Sequence, residues 1–180
     1  MFIISLISKR SRSFMKWIFI VLLVLVVLNF THRIYLNIFT HSLPYGIYMR
    51  INGVPQRDDF AATCLTPEIA QYGVNRGYLA QGNCDTGSVL VLKRIKGLPG
   101  DHFVVRDGFL ELNGYNYLIM SQDSVGRKLG LFYHQNVGLV ALGKYFLLSD
   151  FAKNSWDSRY WGPVGIQFLL KPLWLFEKYK

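Results

Sequence analysis

The first 57 residues contain no aspartate or glutamate, although the whole chain has 11 acidic residues against 20 basic ones. That absence locates the net charge of +9: seven lysines and arginines stand unopposed between Lys9 and Arg57. Residues 58–180 carry thirteen basic residues against all eleven acids. A body so nearly balanced has no electrostatic footprint for a polyanion, so nucleic acid is not expected as a partner. Cysteine is also scarce: Cys64 and Cys84, twenty residues apart, make no zinc motif. The histidines, His32, His41, His102 and His134, are scattered, with no pair at ligand spacing. Phosphate loop, dinucleotide fingerprint and heptad pattern are all missing, so neither a metal nor a cofactor is expected. With only 17% charged and 51% apolar residues, the chain is not a disordered one. Its 180 residues suit one domain of ordinary size.

The chain is unbroken apolar from Trp17 to Leu28, followed by Asn29 and Phe30. Lys9, Arg10, Arg12 and Lys16 precede this run, whereas only Arg33 follows closely. Such asymmetry holds the basic flank in the cytoplasm and sends the other flank across the membrane. Residues 17–30 alone rise about 21 Å as a helix, short of a hydrocarbon core of roughly 30 Å. Phe14, Met15, Ile34, Tyr35 and Leu36 complete the span if Lys16 and Arg33 snorkel. The expected organisation is a basic cytoplasmic tail over 1–13, a transmembrane anchor over 14–36 and an exported body over 37–180. A cleavable signal peptide is the rival reading, but no small-x-small site follows Phe30. Export places Cys64 and Cys84 in an oxidising compartment, which favours a disulfide between them; two separate buried thiols are the alternative.

The body reads as mainly β and antiparallel, with no helix longer than a turn or two. Ile47 to Ile51 and Ser88 to Ile95 are strand-like. His102 to Arg106 and Phe109 to Leu112 flank Asp107-Gly108, a hairpin signal. Val137 to Leu142 and Lys144 to Leu148 flank Gly143 and are expected to pair. Residues 62–86, with glycine, proline, asparagine and both cysteines, read as a long surface loop.

Three segments have chemical potential. In Thr40-His41-Ser42-Leu43-Pro44-Tyr45-Gly46-Ile47-Tyr48, Pro44 and Gly46 constrain the backbone just after a serine, although a plain turn reads the same way. Lys93 stands among apolar strand residues, where desolvation lowers a lysine pKa and makes a general base. A lysine on an edge strand, pointing to water, is the alternative. In the stretch from Tyr145 to Val164, Asp157 and Arg159 are close enough to pair, as they also are in an ordinary turn.

Taken together and in this order, the three segments resemble the type I signal peptidases. Lys93-Arg94-Ile95-Lys96-Gly97-Leu98-Pro99-Gly100-Asp101 is similar to that family's lysine box, and the stretch from Ser149-Asp150 through Asn154-Ser155-Trp156-Asp157-Ser158-Arg159-Tyr160-Trp161-Gly162 to its carboxy-terminal box. Ser149-Asp150-Phe151 departs from the usual Gly-Asp-Asn. The serine segment, Thr40-x-Ser42-x-Pro44-x-Gly46-x-Tyr48, resembles the TraF-type peptidases of conjugative transfer systems rather than the housekeeping enzymes. The loop between Cys64 and Cys84 and the compact size point the same way.

The resemblance implies a Ser/Lys dyad, with Ser42 as nucleophile and Lys93 as general base. Thr40 then assists the oxyanion, Ser155 orients the lysine, and Asp157 with Arg159 form a structural pair. It implies an exported preprotein substrate, most of all a conjugative pilin precursor, with the lipid bilayer and mating-pore components as further partners. The protein would lie in the bacterial inner membrane with its catalytic domain periplasmic. A general signal peptidase and a non-catalytic anchored assembly subunit are the alternatives. Ser42 lies twelve residues after Phe30, at most about 40 Å of extended chain, which keeps it close to the outer membrane face.

Overall fold

The computed structural model describes residues 9–31, 33–38, 40–133 and 136–176. The chain divides into two compact units, 1–34 and 35–180. In the first, helix α1 (Lys9–Thr31) runs for 23 residues, which at 1.5 Å each is about 35 Å. Among the described residues, no helix is long and apolar enough to cross a membrane; the α1 side chains at 9–13, 25–26 and 28–31 lie outside that description. The first eight residues of the expected cytoplasmic tail, and two of the histidines, His32 and His134, also lie outside the described residues.

The second unit is built on two antiparallel sheets. Six strands form the larger: β1 (Ile34–Asn37), β2 (Gly46–Ile51), β3 (Phe60–Thr63), β4 (Val91–Gly97), β9 (Phe146–Leu148) and β10 (Phe168–Leu175). Their spatial order is β1-β2-β10-β3-β4-β9. The smaller sheet, in the order β7-β6-β5-β8, uses β5 (His102–Arg106), β6 (Phe109–Leu112), β7 (Tyr115–Leu118) and β8 (Val137–Leu139). Two short helices, α2 (Pro67–Asn75) and α3 (Ser158–Trp161), complete the unit.

Alternation along the strands decides which core each side chain joins. On β9, Leu147 enters the cluster of Ala61, Val91, Ile95 and Leu169 on one face of the larger sheet. Its neighbours Phe146 and Leu148 point the other way, into the cluster of Phe103, Leu110 and Leu112 that holds the smaller sheet. A third cluster, Leu43, Tyr48, Ala62 and Leu170, packs under the turn that carries Ser42.

The mainly antiparallel β reading and the 102–112 hairpin hold. Asp107 and Gly108 both take positive φ, 52° and 77°, as a two-residue hairpin turn of this twist requires. Two expectations need correction. Residues 62–86 are not simply a surface loop, because β3 ends at Thr63 and α2 follows, with Ile69, Ala70 and Gly73 buried. Pro67 suits a first helical turn. Gly73, which reads as a loop signal, is a packing glycine: a Cβ there would stand 2.6 Å from the Trp156 ring. The segments around Gly143 do not pair with each other either. Strand β8 pairs with β5, whereas β9 pairs with β4, so the chain changes sheet at this glycine. Both faces of β9 are apolar and buried, which suits a position between two cores rather than a hairpin arm beside the exposed Val137 and Leu139.

Candidate active site

The turn bearing Ser42 is held from below by a residue that the sequence alone did not single out. Asn37, at the end of β1, is buried, and its amide donates to the carbonyls of Thr40, Leu43 and Pro44 at 3.1, 3.0 and 3.2 Å. Its Oδ1 accepts from the Thr40 hydroxyl at 3.0 Å. A buried asparagine that gathers three carbonyls fixes a loop, because leaving any of them unpaired costs about 1–3 kcal/mol. The Tyr48 hydroxyl donates to the Pro44 carbonyl at 2.6 Å, which gives the last residue of the motif its task. Gly46 is required by close approach: a Cβ there would meet the Trp174 carbonyl of β10 at 2.3 Å. The one legible signal for Asn37 is an amide side chain closing the strand Ile34-Tyr35-Leu36-Asn37.

Lys93 sits at the middle of β4, an inner strand of the larger sheet, with Val91 and Ile95 on its own face. It is only 5% exposed, which discards the solvent-pointing alternative. Burial lowers its pKa from 10.5 to about 8, against a smaller upward pull from Asp157 and a further downward push from Arg159. Its Nζ is hydrogen-bonded to Ser42 Oγ and donates to Ser155 Oγ at 2.9 Å. The serine, the lysine and the second serine thus meet from three distant segments. Ser42 is half-buried, so its hydroxyl lies at the boundary between protein and solvent.

The carboxy-terminal box supplies the frame. Asp157, fully buried, accepts from the Arg159 guanidinium at 2.8 and 2.9 Å and caps α3 by accepting from the Arg159 backbone N–H. Arg159 donates in turn to the carbonyls of Leu118, Lys153 and Ser155 at 3.0 Å each. The Ser158 hydroxyl accepts from the Leu147 N–H of β9 at 2.9 Å. Ser149, which stands where the family pattern has glycine, donates from its Oγ to the Ser42 carbonyl at 3.1 Å. Its own N–H donates to Asp157. Asp150 beside it pairs with Arg94 and Lys96 at 3.2 and 2.9 Å. Thr40 lies two residues before Ser42 with its side chain exposed. Cys64 and Cys84 form a disulfide, with Cα atoms 5.8 Å apart.

Chemically, a buried amine with a lowered pKa against a hydroxyl has the make-up of a general base beside a nucleophile. Comparison with known proteins bears on which reaction they serve. Residues 11–170 match the family described as signal peptidase, peptidase S26. The chain belongs to this family. A plasmid transfer protein TraF of Escherichia coli is 28% identical over 131 residues, 70% of this chain and 73% of that one. A conjugal transfer protein TraF of Agrobacterium fabrum is 33% identical over 108 residues, covering 57% and 58%. A signal peptidase I of Bacillus amyloliquefaciens is 33% identical over 91 residues, covering 48% and 47%. A signal peptidase I structure from Enterococcus faecalis is 26% identical and covers 66% of this chain and 98% of its own, with a TM-score of 0.36, too low to bear on the fold. As a peptidase S26 protein with TraF relatives, this signal peptidase family member is a serine peptidase of the TraF-like kind.

Proposed function

We propose that this protein is a membrane-anchored endopeptidase in which Ser42 and Lys93 form the catalytic dyad, and that it matures an exported preprotein of a conjugative transfer system, a pilin precursor first of all. One observation carries the reading: Lys93 Nζ, buried and with its pKa lowered to about 8, is hydrogen-bonded to the Ser42 hydroxyl. Near neutral pH a useful fraction of this amine is unprotonated. It accepts the Ser42 proton as Oγ attacks the scissile carbonyl, then returns that proton to the leaving amine. Ser155 aims the lysine. The Ser42 backbone N–H is assigned to the oxyanion together with the Thr40 hydroxyl, which has to leave Asn37 Oδ1 to reach it.

The substrate's approach follows from the sheet. Strand β9 pairs with β4 only from Arg94 onward, so among the described residues Val91, Leu92 and Lys93 have no strand on that side. An extended peptide adds naturally to such an edge. Helix α1 is the anchor in this reading. It puts the basic tail in the cytoplasm and Ser42 within twelve residues of the apolar run, where a preprotein held by its own apolar segment is presented.

The acyl-enzyme is resolved by water, giving a linear product, or by the substrate's own amine, giving a cyclic product lighter by one water. Mass spectrometry of the substrate made with and without this protein tests the proposal. A shortened product lost on Ser42→Ala and on Lys93→Ala supports it, and an intact substrate in all cells eliminates it. A general signal peptidase is the second reading, favoured by the identity to signal peptidase I. Restored growth of cells depleted of their own general enzyme would establish that one instead.

A further inference from the structure

The smaller sheet ends on β8 (Val137–Leu139), which among the described residues pairs with β5 alone. Two hydrogen bonds fix the phase of that pairing: Val105 N–H donates to the Asn136 carbonyl at 2.6 Å, and Val140 N–H to the Asp101 carbonyl at 2.8 Å. Backbone groups alternate in direction along an antiparallel strand. Residues 136, 138 and 140 therefore face β5, and the N–H and C=O groups of Val137 and Leu139 point away from it, where no described strand lies. The side chains of these two residues are also open, Val137 being 58% and Leu139 65% exposed. An edge of this kind is ordinarily guarded by a lysine, a proline or a bulge. β8 has none of the three. The opposite edge strand, β7, is partly closed, because the Leu118 carbonyl accepts from Arg159 and the next residues bond to Gly108 and Tyr160.

We infer that β8 is an interface between two copies of this chain, which pair antiparallel about a two-fold axis through Gly138. The spacing is self-complementary. With Gly138 opposite its own counterpart, Val137 of one copy faces Leu139 of the other, and each of these two facing pairs exchanges both of its outward N–H···O=C bonds. The glycines then meet at the non-hydrogen-bonded position, where Cα atoms approach to about 4.5 Å. On the outer face of the joined sheet, valine meets leucine twice, an apolar cross-strand pair. β8 carries no charge, so no like charges meet across the seam. A seam of three residues per copy is far smaller than the roughly 800 Å² per side of a lasting complex. The dimer is accordingly weak and reversible, with Kd above about 1 μM. This inference does not depend on the peptidase reading.

Crosslinking that resolves the register tests the pairing. Two full-length versions with tags of different mass, one Val137→Cys and the other Leu139→Cys, are co-expressed in the same cells and oxidised before lysis. Cys64 and Cys84 are already bonded to each other and do not compete. In the inferred register residues 137 and 139 of opposite copies lie about 5.5 Å apart, within reach of a disulfide, whereas each residue is more than about 7 Å from its own counterpart. The mixed dimer should therefore form at least about fivefold more than either same-residue dimer. Leu139→Lys, at an exposed position remote in sequence from the dyad, should weaken the concentration-dependent shift from monomer to dimer in sedimentation velocity by at least about tenfold. Its urea midpoint should not change. Equal yields of the three dimers, or no crosslink at all, overturn the two-fold pairing. A crosslink to a protein of another mass overturns it as well, and gives the edge to a different partner's strand.

Discussion

Ser149 Oγ donates a hydrogen bond to the backbone carbonyl of Ser42 at 3.1 Å, across 107 residues of sequence. The same oxygen accepts the N–H groups of Phe151 and Ala152 at 3.3 and 3.2 Å, and the Ser149 N–H reaches Asp157 Oδ2 at 3.1 Å. One side chain therefore ties the Ser42 peptide to the buried Asp157–Arg159 frame. A glycine in this place has no hydroxyl to do so.

Ser149→Gly should lower kcat by about two- to ten-fold, the worth of one hydrogen bond, with KM little changed. The carbonyl it releases positions Ser42 and makes no contact with substrate in this scheme. Steady-state kinetics on a cleavable peptide check this, and an unchanged kcat refutes the positioning role.

The lowered Lys93 pKa sets the pH dependence. In the proposed dyad the base must be unprotonated, so kcat/KM should fall about tenfold per unit as pH drops below about 8 and level off above it. Stability moves in the same direction. Between about 8 and 10.5 the unfolded chain holds the lysine proton more tightly than the folded one, so stability rises with pH across that window and is flat on either side. Lys93→Met should remove the rise in urea midpoint over this window and cost activity by at least about 10⁴-fold.

Breaking the Asp157–Arg159 pair should unfold more than it inactivates. Asp157→Ala leaves the buried Arg159 guanidinium without its carboxylate and α3 without its cap. The expected loss is about 3–5 kcal/mol, read from urea unfolding monitored by tryptophan fluorescence. A loss below about 1 kcal/mol would show that the pair is incidental.

The disulfide closes a loop across a separation of 20 residues. Replacing Cys64 and Cys84 by serine together should cost about 3 kcal/mol. Calorimetry of the double variant should show a correspondingly lower Tm, and reductant should lower the Tm of the native protein alone.

How much was legible depended on how local the cause was. The Asp107-Gly108 hairpin was readable because two adjacent residues with positive φ fix a turn without outside help. The pairing of the Val137 and Phe146 segments was misread because strand partners are chosen by distant cores: Leu147 goes to one and Phe146 with Leu148 to the other. Helix α2 was missed because Gly73 looks like a break until Trp156 is seen lying against it. Ser42, Lys93 and Ser155, which the fold brings within hydrogen-bond reach of one another, were singled out through motif resemblance, whereas Asn37 and the use of Ser149 were not, since both act through carbonyls that no side-chain pattern displays.

By itself, the order of residues determined what chemistry was on offer: a serine in a constrained turn, a lysine in an apolar strand and a paired carboxy-terminal box, behind a basic and then apolar amino-terminal segment. Tertiary structure alone decided that Lys93 loses its water, that its amine meets Ser42 and Ser155, and that Ser149 reaches back to the Ser42 carbonyl. Desolvation and hydrogen bonding depend on which atoms surround a group in space, and here those atoms come from segments 51, 62 and 107 residues apart.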